Sequence, residues 1–140
     1  MTKFANVNIV MACLAFLSLI FNAACEHQQG VAPQDLQPTL SSIQDNIFTP
    51  KCVNQGCHPG GGAPMSLASG QAFNNLVNVQ FSGFPPLRRV KAGDPDESVL
   101  YLKVIGSPLT GNRMPLRLQR LSNDELEAIR IWIEGGALDN

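Results

Sequence analysis

The sequence predicts a small, mostly α single domain of about four short helices joined by long Gly/Pro-rich loops. Three observations lead there. Apolar residues recur at helical spacing in four separate stretches. Each stretch has its own capping or stopping residues. The segments between them concentrate glycine and proline, which interrupt regular structure.

The N-terminal residues read as an export signal, 1–24. Lys3 supplies a positive charge, an apolar run from Ile9 to Phe21 is broken only by Ser18, and Ala23-Ala24 precede Cys25. The run falls short of the roughly 20 apolar residues of a membrane span and has the proportions of a signal peptide. Cys25 in this setting resembles the lipobox cysteine of bacterial lipoproteins, with Asn22 where that pattern has a Leu-like residue. The expectation is a lipid on Cys25 and a protein held on the extracytoplasmic side, periplasmic or outer-membrane. The alternative is ordinary cleavage and a soluble periplasmic or secreted protein. Residues 25–38 then form a lipid-anchored polar tether, with prolines and no helical period, and 39–140 the folded domain.

Within that domain, Thr39 or Ser41 caps a first helix in which Leu40, Ile43 and Ile47 share a face, and Pro50 ends it. Residues 59–66, with three glycines and two prolines, exclude regular structure. Ser69 is the expected cap of a second helix bearing Phe73, Leu76 and Val77, and Gly83 and Pro85-Pro86 make the following loop. Asp94-Pro95 opens a third helix, with Asp96 and Glu97 in its positive first turn, Leu100, Tyr101 and Val104 on its apolar stripe, and Gly106 as stop. Ser122 to Glu125 is a capping box for the last helix. Leu126, Ile129, Trp132 and Ile133 line its inner face, and Gly135-Gly136 end it. Four short helices leave little area to bury at roughly 25 cal/mol per Å². A large apolar prosthetic group would supply what the side chains lack.

Composition narrows the function. Ten Lys and Arg against eleven Asp and Glu give a net charge of −1, without the basic surplus of a nucleic-acid binder. The informative feature is Cys52-Val53-Asn54-Gln55-Gly56-Cys57-His58. Two thiols can each add across a haem vinyl group, forming one C–S and one C–H bond at the expense of the S–H and the vinyl π bond. A histidine following the second thiol is placed to reach the iron. Here four residues, not two, separate the cysteines, and a small disulfide loop is an alternative use of the pair. Zinc would need more ligands, and the other cysteines, Cys13 and Cys25, belong to the leader and its end.

A second axial ligand has few candidates. His27 lies in the tether, which leaves Met65 and Met114. Met114 is preferred because Pro115 stiffens the loop that bears it, whereas Met65 sits among glycines.

Several separated motifs together resemble bacterial c-type-cytochrome-like domains, a lipoprotein group with C-x-x-x-x-C-H attachment. They are Ile47-Phe48-Thr49-Pro50-Lys51-Cys52, Gly56-Cys57-His58, Leu67-Ala68-Ser69-Gly70, the stretch Arg89 to Leu100, Arg113-Met114-Pro115 and Ile131 to Ala137. The resemblance spans about residues 42–138, with Ala92 where the group usually has proline. It implies a cytochrome c-like fold around haem c, with Cys52 and Cys57 holding the ring and His58 and Met114 as iron ligands. One-electron transfer with unidentified redox partner proteins follows, without enzymatic chemistry, since His/Met ligation saturates the iron. The rival expectation is a haem-free, disulfide-stabilised binding or structural envelope domain.

Overall fold

The computed structural model describes residues 35–60 and 65–140. The expected signal segment, Cys25 and most of the tether lie outside the described residues. The architecture is mostly helical, and among the described residues extended backbone pairs only as isolated bridges, such as Val77 with Val90 and Arg88 with Ser98. No helix among the described residues is long and apolar enough to cross a membrane.

Helix α1, Leu40–Ile43, starts where expected: the Thr39 side chain accepts from the Ser42 N–H. The chain then continues as a wide π-helix, Gln44–Val53, with Pro50 inside it, so Pro50 does not end the helix as its type suggested. Proline fails in an α-helix because it has no N–H to donate and its ring strikes the carbonyl four residues back. A turn bonded from i to i+5 is wider, and the Asn54 N–H reaches the Thr49 carbonyl in that register at 2.9 Å. The Asn46 amide donates to the Ser42 carbonyl at 2.8 Å, adding a side-chain donor where the main-chain pattern changes.

The change of width decides where the helix points. A π turn holds roughly 4.4 residues against 3.6 in an α-helix. Over the nine-residue step from Ile43 to Cys52, an α-helix would turn the two to opposite faces, whereas the wide helix returns them to nearly the same one. Ile43, Ile47 and Phe48 are buried, and Cys52 packs on the core they form.

Helix α2, Ala72–Leu76, is shorter than the sequence suggested. Its N-cap is Gln71, not Ser69, and Val77 has already left the helix for extended backbone. The third predicted helix is two pieces: a 3-10 turn, Pro95–Glu97, capped by the Asp94 carboxylate, and helix α3, Val99–Ile105. Ser98 separates them because its fully buried hydroxyl is committed locally, donating to the Asp94 carbonyl at 2.7 Å and accepting from the Lys91 N–H at 2.8 Å. Gly106 stops α3 at φ +80, a left-handed conformation suited to glycine.

Helix α4, Asn123–Glu134, has the full capping box, with Ser122 and Glu125 each satisfying the other's backbone N–H. Such a cap is worth about 1 kcal/mol. Ile129, Trp132 and Ile133 are buried on its inner face, as the sequence predicted, and Leu126 packs at their edge. Trp132 is a core residue whose indole N–H donates to the Leu138 carbonyl. Glu125 does more than cap: its second oxygen pairs with Lys51, beside Cys52. The start of α4 is thereby tied to the end of the π-helix. At the other end, the Gly93 N–H donates to the Ile133 carbonyl at 2.7 Å, docking the loop before α3 onto α4.

Candidate functional site

One cavity of about 340 Å³ opens between the π-helix, α3, α4 and two loops. Its floor is core: Ile47, Phe48, Leu100, Val104 and Ile129. On its wall stand Cys52, Cys57, His58, Met65 and Met114. The structure therefore brings both thiols, the imidazole and both methionines from separate segments to a single site.

Cys52 is aimed there by the π register, and Cys57 by the turn that follows. The Gly56 N–H donates to the Val53 carbonyl at 2.8 Å, and the His58 N–H closes the loop on the Cys52 carbonyl at 2.9 Å. Gly56 takes φ +76 in that turn, a position that would strain any residue with a Cβ although open space surrounds it. The two sulfurs differ in setting: Cys57 is exposed and Cys52 half-buried, both as free thiols.

Burial, followed by the neighbouring Cys57, pushes the Cys52 thiol from 9.0 up to about 11. The fold therefore favours the neutral thiol, and the unfolded chain ionises first. In protein without haem, the contribution of this thiol is intact below pH 9.0 and is lost as the pH rises through about 11. The urea midpoint of that form is expected to fall over this interval in wild type and to fall less in Cys52→Ala. Equal slopes would show that Cys52 ionises as freely in the fold as out of it.

His58 is oriented by its second nitrogen. Nδ1 lies 3.2 Å from the Met65 carbonyl, which only accepts, so the proton is assigned to Nδ1 and Nε2 keeps its lone pair. A hydrogen bond of this kind holds a metal-binding imidazole in one tautomer and orientation. The Leu67 N–H donates back to the His58 carbonyl at 2.9 Å and fixes the same strand of backbone.

Met114 is carried on the loop after α3 and is pinned to that helix. Its N–H donates to the Lys103 carbonyl at 3.0 Å, and the Arg113 guanidinium reaches the Leu118 carbonyl at 3.2 Å. Met65 also lines the cavity, but its carbonyl is engaged by His58 on the side of the Cys52–His58 loop.

A scan of family models and searches of curated proteins and of solved structures each returned no match to this chain.

Two residues that the sequence reading did not single out also face the cavity, Arg89 and Lys103. Arg89 donates to the Asn75 carbonyl at 2.9 Å and Lys103 to the Thr110 carbonyl at 2.7 Å. Partial burial holds the Lys103 ammonium below the ordinary lysine range. With Lys51 they make three cations on a wall without an Asp or Glu among the described residues. A signal existed for Lys103: it stands three residues after Leu100 and one before Val104, so a helix that turns both inward turns Lys103 with them. Arg89 had only its place at the head of the Arg89 to Leu100 stretch.

The lining suits a ligand with an apolar body and peripheral negative charge. The cavity's volume lies at the lower end of the range for small-molecule and cofactor sites, about 300–1,000 Å³. Haem satisfies each requirement at once: an apolar ring for the floor, vinyl groups for the thiols, iron for imidazole and thioether, and two carboxylates for the cations. Among the described residues no cluster of three or more His, Cys, Asp or Glu is present.

Proposed function

We propose that this protein is a one-electron carrier with a covalently bound c-type haem. The observation that supports it best is the convergence of Cys52, Cys57, His58 and Met114 on one apolar cavity. Haem would supply the redox couple when bound. The residues of this chain do the rest. Cys52 and Cys57 would tether the ring, and His58, held by the Met65 carbonyl, would offer Nε2 to the iron. Met114, its N–H pinned to the Lys103 carbonyl, would offer its thioether as the second ligand. Ligation by His58 and Met114 would raise the potential and fill both positions on the iron, which would favour electron transfer over catalysis. The apolar floor excludes water and limits the reorganisation that accompanies a change of iron charge. Arg89 and Lys103, which line the cavity, would compensate the charge of the propionates. A lipid on Cys25 would hold the carrier outside the cytoplasm, at the periplasmic side or the outer membrane, within reach of redox proteins there.

One preparation tests this reading. The protein, expressed with a haem-attachment system and purified from the membrane fraction, is expected to show c-type absorption bands and an intact mass raised by haem and by a diacylglyceryl group. An intact mass lower by two hydrogens, from a Cys52–Cys57 disulfide with no haem, would replace the carrier with a disulfide-stabilised envelope domain. Haem without lipid would remove the anchor and leave the carrier.

A further inference from the structure

The stretch from Ser98 to Asn123 contains Lys103, Arg113, Arg117 and Arg120 and no carboxylate, in a chain whose total charge is almost balanced. Its outermost part, Leu116 to Arg120, is exposed throughout, and Leu116 and Leu118 are 42 % and 40 % exposed. Leu116 also lines the cavity, so this stretch is the cavity's rim. A neighbouring depression of about 220 Å³ shares Lys51 and Pro115 with the cavity and is lined further by Leu118 and Arg120. The basic rim therefore runs without a break from Lys51, beside Cys52, to Arg120.

Lys51 is paired with Glu125, but the arginines of this rim are not spent on ion pairs. Among the described residues Arg113, Arg117 and Arg120 form none. Arg113 and Arg120 donate instead to the Leu118 and Ile105 carbonyls, which orients them without neutralising them. Arg117 stands between the two exposed leucines at φ +58, a strained conformation for a residue with a side chain. Glu125 is the carboxylate bonded to this rim, and it is only 12 % exposed and committed to Lys51.

We infer that the rim Leu116–Arg120, with Lys51 and Arg113, is the docking surface for a redox protein that presents a carboxylate-rich face. The inference rests on the carrier reading, since electrons must leave where the ring comes nearest the surface. Charge complementarity selects the partner: arginines steer an acidic face at long range, and the two leucines supply apolar contact once water is displaced. Arginine also suits the fully desolvated centre of an interface better than lysine. An anionic lipid surface would attract the same charges. The segment 105–123 has no Trp, Tyr or Phe, the residues that anchor a protein at a membrane interface.

The test uses ¹⁵N-labelled, haem-loaded protein and hexacyanochromate(III), a redox-inert paramagnetic trianion. Amide resonances of residues 113–120 are expected to broaden first, and the double variant Arg117→Glu/Arg120→Glu to lose that broadening with its visible spectrum unchanged. In the same variant, oxidation of the reduced protein by ferricyanide at low ionic strength is expected to slow at least about tenfold, while oxidation by cationic tris(phenanthroline)cobalt(III) speeds up. Broadening centred elsewhere, or ferricyanide rates indifferent to the two arginines, overturns the docking surface alone. So does sedimentation of the Cys25→Ser protein with phosphatidylglycerol vesicles through these arginines at physiological salt, which assigns the rim to lipid. Protein that takes up no haem overturns the carrier reading, and the inference with it.

Discussion

Replacing Cys52 and Cys57 together by alanine is expected to abolish covalent haem staining on a denaturing, reducing gel. Each single replacement leaves one thioether and a reduced but measurable signal. The expectation follows from the placement of both sulfurs on one wall of the cavity, where each can form its own C–S bond. His58 does not depend on either thiol for its orientation, because the Met65 carbonyl holds Nδ1 and the Cys52 main chain holds the backbone N–H. The double variant is therefore expected to retain a site that binds haem loosely and releases it to acidified acetone. Wild-type protein with an intact Cys52–Cys57 disulfide in its mature form would end the cytochrome reading. Undiminished staining in the double variant would place the covalent link on another residue.

Met114→Ala is the second large effect. The bonds that shape the loop come from the main chain and from Arg113: the Met114 N–H to Lys103, and the Arg113 guanidinium to Leu118. Truncating the thioether should thus leave the loop in place and remove only the ligand. The sulfur-to-iron charge-transfer band is expected to disappear, and the reduced iron to bind carbon monoxide. Met114→His is expected to lower the reduction potential by a sizeable part of the roughly 0.8 V that axial ligands span. An unchanged spectrum in Met114→Ala would give the ligand role to Met65 or to no methionine.

Much of the fold was legible where local chemistry decides structure. The capping box at Ser122, the Asp94 cap, the stop at Gly106 and the inner face of α4 all depend on a few neighbouring residues. Reading failed where distant contacts overrode the local rule. Pro50 normally stops an α-helix, but a wide turn accommodates it once Ile47 and Phe48 are fixed in the core. Ser98 looked like the interior of a helix from Pro95 onward, yet its hydroxyl is buried against Lys91 and Asp94, and the helix restarts after it. Of the side chains that share the cavity, the thiols, imidazole and thioethers stood out in the sequence because they are scarce in this chain. The cations stood out less, since arginine and lysine are ordinary surface residues. Lys103 had its spacing from Leu100 and Val104, whereas only the packing of the loop before α3 turns Arg89 toward the cavity.

The width of the helix before Cys52 also sets where this chain can change length. Each residue of helix turns the chain by roughly 80–100°. Between Ile43 and Cys52, one residue more or fewer would swing the first thiol off the cavity wall even with every side chain kept. The largely exposed loop at 82–86 faces no such arithmetic, and an extra residue there costs only a few tenths of a kcal/mol in closure entropy. The step from Ile43 to Cys52, most of it in the helix Gln44–Val53, thus works as a fixed-length spacer that sets the Cys52–His58 loop against the core. Its length matters as much as the identity of its residues.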